Sequence, residues 1–163
     1  MTQPLHHTSH RRRAQSLVEF ALVAPLLVAL IVGAIELGIL FVTYIGLTNS
    51  AREGARAAAV YRYNGPAPLS TETNAYTKID TSRQTYASSV ITATLSPLSP
   101  TTALTMTMSY TPTIPLSENP YRAGDTVAVT LQQRHQVLFG LLGKIDIMLR
   151  SVSAVRIEPG GAE

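Results

Sequence analysis

Two carboxylates, Glu19 and Glu36, stand in a stretch of this chain otherwise almost devoid of charge. Placing an ionised side chain inside a bilayer costs about 2.5 to 3.5 kcal/mol on insertion scales, so a carboxylate retained in an apolar run is a functional candidate by default. Each also has a plainer explanation. Glu19 opens the apolar run and could cap the first turn of a helix, where negative charge favours the dipole. Glu36 lies 17 residues farther on, where a tilted span would bring it to the far headgroups. The rest of the chain is poor in convergent reactive groups. His135 is the only histidine outside the first ten residues, and a lone histidine on a strand between Arg134 and Gln136 reads as solvated or hydrogen-bonded. His6, His7 and His10 belong to the N-terminal flank, and Asp80, Asp125 and Asp146 stand singly and read as turn or surface residues. With no cysteine, no G-x-x-x-x-G-K, no H-E-x-x-H and no G-x-S-x-G, the sequence offers no catalytic constellation, metal site or cofactor site.

The two carboxylates are carried by an apolar segment. Phe20 to Leu47 is a run of 28 residues whose only charge is Glu36. About 20 apolar residues span a bilayer core, so this run is long enough for a retained anchor and too long for the apolar region of a cleaved secretory signal. The flank HHTSHRRR precedes it, whereas Arg52 and Arg56 beyond it are partly balanced by Glu53. The positive-inside rule then puts the N-terminus in the cytoplasm and the residues after about 48 outside it. The chain of 163 residues carries a formal charge of +3, and Arg11, Arg12 and Arg13 account for all of it. A basic surface for nucleic acid therefore has little support. Helix formers continue through LTNSAREGARAAAVYRY without a proline before Pro66, which predicts one helix from about Ser16 to Tyr61. Small residues recur along it at Ala29 and Gly33, at Ala34 and Gly38, and at Gly46, Ser50 and Gly54. That spacing permits close helix packing, and it is equally the ordinary composition of a membrane helix.

Beyond NGPAPLS at 64–70, the positions of Ala75, Ile79, Tyr86, Val90 and Ile91 predict a second helix between about 70 and 95. Residues 102–110 alternate strictly, with Leu104, Met106, Met108 and Tyr110 on one side, and predict a half-buried strand. After a proline-rich loop, TVAVTLQQRHQV predicts a second strand, and 145–158 a third. Its apolar parity changes at Val152 and Ala154, which predicts a bulge or a two-faced strand. The expected fold is α+β: a long N-terminal transmembrane and stem helix, a short helix and a small three-stranded antiparallel sheet. In that reading residues 62–163 form an exported domain that folds alone, with Leu104, Met106, Met108, Val127, Val129, Leu131, Ile145 and Ile147 buried against the second helix.

The stretch RRRAQSLVEFALVAP resembles the processing site of type IV prepilins, particularly their tight-adherence branch. The continuation EFALVAPLLVALIVGAIELG, then LTNSAREGARAAAV, is similar to the TadE-like pseudopilins, and DTVAVTL with SVSAVRIE resembles the end of the same family more loosely. The resemblance implies a pilin-like fold and a leader of residues 1–14 removed by a prepilin peptidase between Ala14 and Gln15. The family usually has glycine where this chain has Ala14. It implies Glu19 as the fifth mature residue, paired with the new amine at Gln15 of a neighbouring subunit during assembly. Glu36 is a second assembly candidate, and Ala51, Arg52, Glu53, Gly54, Ala55 and Arg56 form a stem motif. Residues 15–61 would then be the membrane and stem helix. The expected protein is a non-enzymatic, single-pass inner-membrane subunit that oligomerises with other pilin and pilus-assembly proteins, its C-terminal domain periplasmic or extracellular, or on a surface pilus. From another class, the same residues admit a membrane-tethered envelope binding or sensor module with an uncleaved anchor, which would retain its N-terminus and tolerate Glu19→Ala.

Overall fold

The computed structural model describes residues 8–65, 73–95, 104–115, 121–137 and 145–158. Its elements are α1 (Thr8–Val60), α2 (Thr73–Thr94), β1 (Leu104–Thr111), β2 (Thr126–Val137) and β3 (Ile145–Arg156). The architecture matches the expected one: a long apolar helix, a short helix and a three-stranded antiparallel sheet in the order β1-β2-β3. The linker residues 66–70, the SPLSP segment at 96–100 and the FGLLGK segment at 139–144 lie outside the described residues.

α1 runs for 53 residues and begins at Thr8, not near Ser16, because its good helix formers continue back through the arginines without a breaker. Pro25 lies inside it and does not end it. The missing N–H leaves the Ala21 carbonyl without its helical donor, a gap that membrane helices tolerate. Along its first two thirds the large apolar side chains, from Leu17 to Ile45, stand exposed in the isolated chain. Along its last third the helix becomes the spine of a domain.

The change of role follows from a change of side-chain size. Leu47, Ser50, Ala51, Gly54, Ala55, Ala57, Ala58 and Ala59 are all buried, and their short side chains let two layers approach the same helix. β2 and β3 lie along one side of it and α2 along another. On β2 the core positions alternate as Val127, Val129, Leu131 and Gln133, each fully buried, with polar or small residues between them. One cluster joins Leu47, Ala51 and Ala55 to Ile91, Val129, Leu131 and Leu149; a second joins Ala58 and Ala59 to Ala87, Val127 and Ile157.

Several expectations are corrected. The sheet's main partner is α1, with α2 contributing chiefly Ile91 and Ala87 to the shared clusters. The domain's core therefore crosses the expected boundary at residue 62. On α2 the buried stripe is Ile79, Arg83, Ala87 and Ile91, a strict four-residue repeat that includes an arginine, while Tyr86 is exposed and stacks near Tyr61. β3 has no bulge: its pairing with β2 is continuous from Thr126↔Arg156 to Val137↔Ile145. The parity break arises because Ser151 and Ser153 take helix-facing positions while Val152 points outward. Ile145, at the strand's first position, is 50% exposed and not a core residue.

Candidate functional site

α1 places the residues around the expected cut in a helix. Gln15 and Glu19 are one turn apart, and the Gln15 side-chain amide donates a hydrogen bond to Glu19 Oε1 at 3.2 Å. Both side chains are exposed, so the carboxylate is open to a partner from another molecule. Glu19 does not cap α1, whose first turn lies eleven residues earlier and contains no acidic residue. Ala14 lies in the helical backbone just before Gln15.

Glu36 is half-buried on the face that continues through Leu40, Thr43 and Leu47, and its Oε2 is buried with no hydrogen-bond partner. It is thus separated from Glu19 by nearly five turns, and the two carboxylates form no common site. The Ala51–Arg56 motif divides by size. Ala51, Gly54 and Ala55 are buried, whereas Arg52, Glu53 and Arg56 face outward. A Cβ at Gly54 would collide with the Ile91 side chain, so glycine there lets α2 seat on α1. The small half of the motif packs the domain, and its charged half remains on the surface.

A cluster that sequence reading treated as isolated surface residues lies at the domain's far end. Arg122 binds Asp80 through two nitrogens, Nε at 2.9 Å and Nη2 at 2.8 Å, and lies 4.1 Å above the Tyr110 ring. Arg83, only 2% exposed, approaches Asp80 at 3.4 Å and donates to the Tyr121 carbonyl at 3.0 Å. Asp125 accepts bonds from the Thr113 amide and hydroxyl at 2.8 and 2.9 Å. Arg122 sits at φ 57, a left-handed conformation that costs order 1–3 kcal/mol off glycine, and its bond to Asp80 holds it there. Burial, and next the Asp80 charge, push the Tyr110 phenol above its ordinary range, against the lowering pull of Arg83 and Arg122. Burial disfavours the Arg122 charge, but the hydrogen bonds and charge of Asp80 outweigh it and hold the guanidinium pKa above its ordinary value. The cluster ties α2 to the loop between β1 and β2. Its partners are 42 residues apart, so no local pattern could announce it. Among the described residues no group of three or more His, Cys, Asp or Glu side chains could hold a metal.

The long helix thus carries Glu19 near its exposed end and a domain built around its other end. Residues 14–56 match the family of TadE-like proteins. The TadE-like segment takes in Ala14, Gln15, Glu19, Glu36 and the Ala51–Arg56 motif, and it ends before α2 and the sheet. The match agrees with the resemblance drawn from the same residues, to a family of pilus-associated, pilin-like proteins. Its apolar helix fits a single-pass membrane anchor. No curated protein and no solved structure matches the chain.

Proposed function

We propose that this protein is a pseudopilin of a tight-adherence pilus, anchored by α1 and processed by a prepilin peptidase between Ala14 and Gln15. The observation that carries the proposal is the TadE-like match over 14–56, which takes in both the cut and an exposed Glu19. In the precursor, Glu19 has the Gln15 side chain as a partner four residues back. Cleavage supplies a cation one turn away, the Gln15 α-amine. As the first group of the mature helix, that amine has no intrahelical acceptor. On a neighbouring subunit it is a partner that Glu19 can reach during assembly.

Two charges that would each be costly in an apolar bundle offset one another when paired. This pairing gives Glu19 a role in recruiting the protein to other pilin and assembly subunits, and no catalytic step is required of the chain itself. The basic flank stays cytoplasmic, and the domain lies on the far side of the membrane, available for adhesion or for incorporation into a surface filament.

The test has two parts. Mass spectrometry of membrane-extracted protein should find a chain beginning at Gln15; an intact N-terminus as the sole form would favour the tethered-module reading. Glu19→Ala should insert normally but fail to co-purify with assembly partners or sheared filaments. Losing one member of a buried pair typically costs about 3 to 5 kcal/mol, and Glu19→Asp should be intermediate because charge survives and reach shortens. Equal incorporation of Glu19→Ala would remove the proposed pairing.

A further inference from the structure

We infer that the β2–β3 hairpin end of the sheet, carried by Val137, Ile145 and Met148, rests on the lipid surface from which α1 emerges. The inference depends on the reading of α1 as a membrane span, and it adds where the domain sits on that membrane.

The direction of the strands fixes which end is meant. Ala58 and Ala59 of α1 pack with Val127 and Ile157, while Leu47 packs with Val129, Leu131 and Leu149. Moving back along α1 toward the apolar segment is therefore moving forward along β2 and backward along β3. The order continues to Leu40 and Ile147, both of which pack against the Leu47 cluster. Val137 and Ile145, paired across the last rung of the ladder, lie at the membrane end of the sheet. At about 3.3 Å per residue, the last rung lies roughly 7 Å beyond Ile147.

The same turns of α1 are shared between domain and lipid. Thr43 and Leu47 are fully buried by the domain, while Phe41, Val42, Tyr44 and Ile45 on the other faces are exposed. Beyond Ile45 the next exposed large apolar residue on α1 is Val60. Counting from Phe20, a bilayer core of about 30 Å is crossed after about 20 residues, near Leu40, leaving Tyr44 at the interfacial level where aromatic residues collect. Glu36, one turn below Leu40, then stands close to the headgroup boundary, where a half-buried carboxylate is far less costly than at mid-bilayer. The described part of the domain thus begins near the depth where the acyl chains end.

The chemistry of that end suits the location. Ile145 is 50% exposed and Met148 57% exposed, although neither has a protein surface to cover it among the described residues. Asp146, one rung in from the end, is countered by Arg134 two rungs farther from it, with Nη1 at 3.7 Å from the carboxylate.

The chain contains no tryptophan, so one introduced indole reports one position. The full-length protein would be reconstituted in phosphatidylethanolamine–phosphatidylglycerol vesicles, with and without brominated acyl chains, as Ile145→Trp, Leu30→Trp and Tyr121→Trp. Tyr121 lies beside the Asp80 cluster at the opposite end of the domain. Leu30→Trp should lose most of its fluorescence to the bromines, Ile145→Trp an intermediate share, and Tyr121→Trp none. Ile145→Trp as bright as Tyr121→Trp, with Leu30→Trp quenched, would overturn the lipid contact while leaving the anchor intact. Equal quenching at Ile145 and Tyr121 would mean a domain lying flat and would also overturn it. An unquenched Leu30→Trp would instead defeat the membrane-span reading on which the inference rests.

Discussion

At the scale of single residues, the Asp80 cluster holds the most consequential charges of the domain built on the end of α1. Tyr110 is the titrating member whose change can be followed. Because its folded pKa is raised, its contribution to stability is fully present below the ordinary phenol value, about 10, and is lost as pH rises through the folded value. Thermal melts of detergent-solubilised protein should therefore show a fall in Tm above about pH 10 that Tyr110→Phe reduces, with the Arg122 stacking contact retained at neutral pH. An unchanged alkaline slope in the mutant would assign the loss to other groups. A second prediction concerns Ala14. The bond proposed to be cut lies inside the helical backbone of α1, and a peptidase site accepts extended chain, so local unwinding must precede cleavage. Glycine lowers helix stability by about 1 kcal/mol relative to alanine, roughly fivefold in the opened population. Ala14→Gly should accordingly be processed faster, measured as the mature fraction against time in membranes containing the peptidase; slower processing would mean that opening does not limit the step. Glu19 was legible from the sequence because charge in an apolar run is conspicuous. The Asp80–Arg122 pair was not, since its members are ordinary residues until folding brings them together.

At the scale of elements, alternation made β1 and β2 legible: the bounds of β2 follow the run TVAVTLQQRHQV from end to end. β3 was harder because Ser151 occupies a buried position and Val152 an exposed one, so hydrophobicity misreported which face was inward. α2 was blurred for the same reason, with Arg83 in its buried stripe. The packing face of α1 was the least visible, because a helix that is apolar all round carries no directional signal, and farther along the face is marked only by small size. Gly54 tests that face. In an exposed helix Gly→Ala gains up to about 1 kcal/mol, but here the added Cβ meets Ile91, a fully buried β-branched side chain with restricted rotamers. Gly54→Ala should lower stability, overpacking typically costing about 1–3 kcal/mol, and Ile91→Val in the same chain should recover part of the loss. Stabilisation by Gly54→Ala alone, read from denaturant midpoints, would contradict the close seating of α2.

At the scale of the whole molecule, stem and domain are one folding unit. Leu47, Ala51, Ala55, Ala58 and Ala59 supply the surface on which β2, β3 and α2 assemble, so a fragment of residues 62–163 lacks the centre of its own core. That fragment should show no cooperative melting, whereas one of residues 43–163 should melt as a single transition with a circular dichroism spectrum of mixed helix and strand. Cooperative folding of the shorter fragment would restore the boundary at residue 62. The shared helix also has a mechanical meaning. A domain tethered through a loop can swivel freely and feels tension only when the loop is taut. Here α1 leaves the apolar segment and enters the core without a break, as shaft and bearing in one piece. A push along the axis or a turn about it passes straight into the sheet, so the position of the helix end inside the membrane sets the heading of the domain outside.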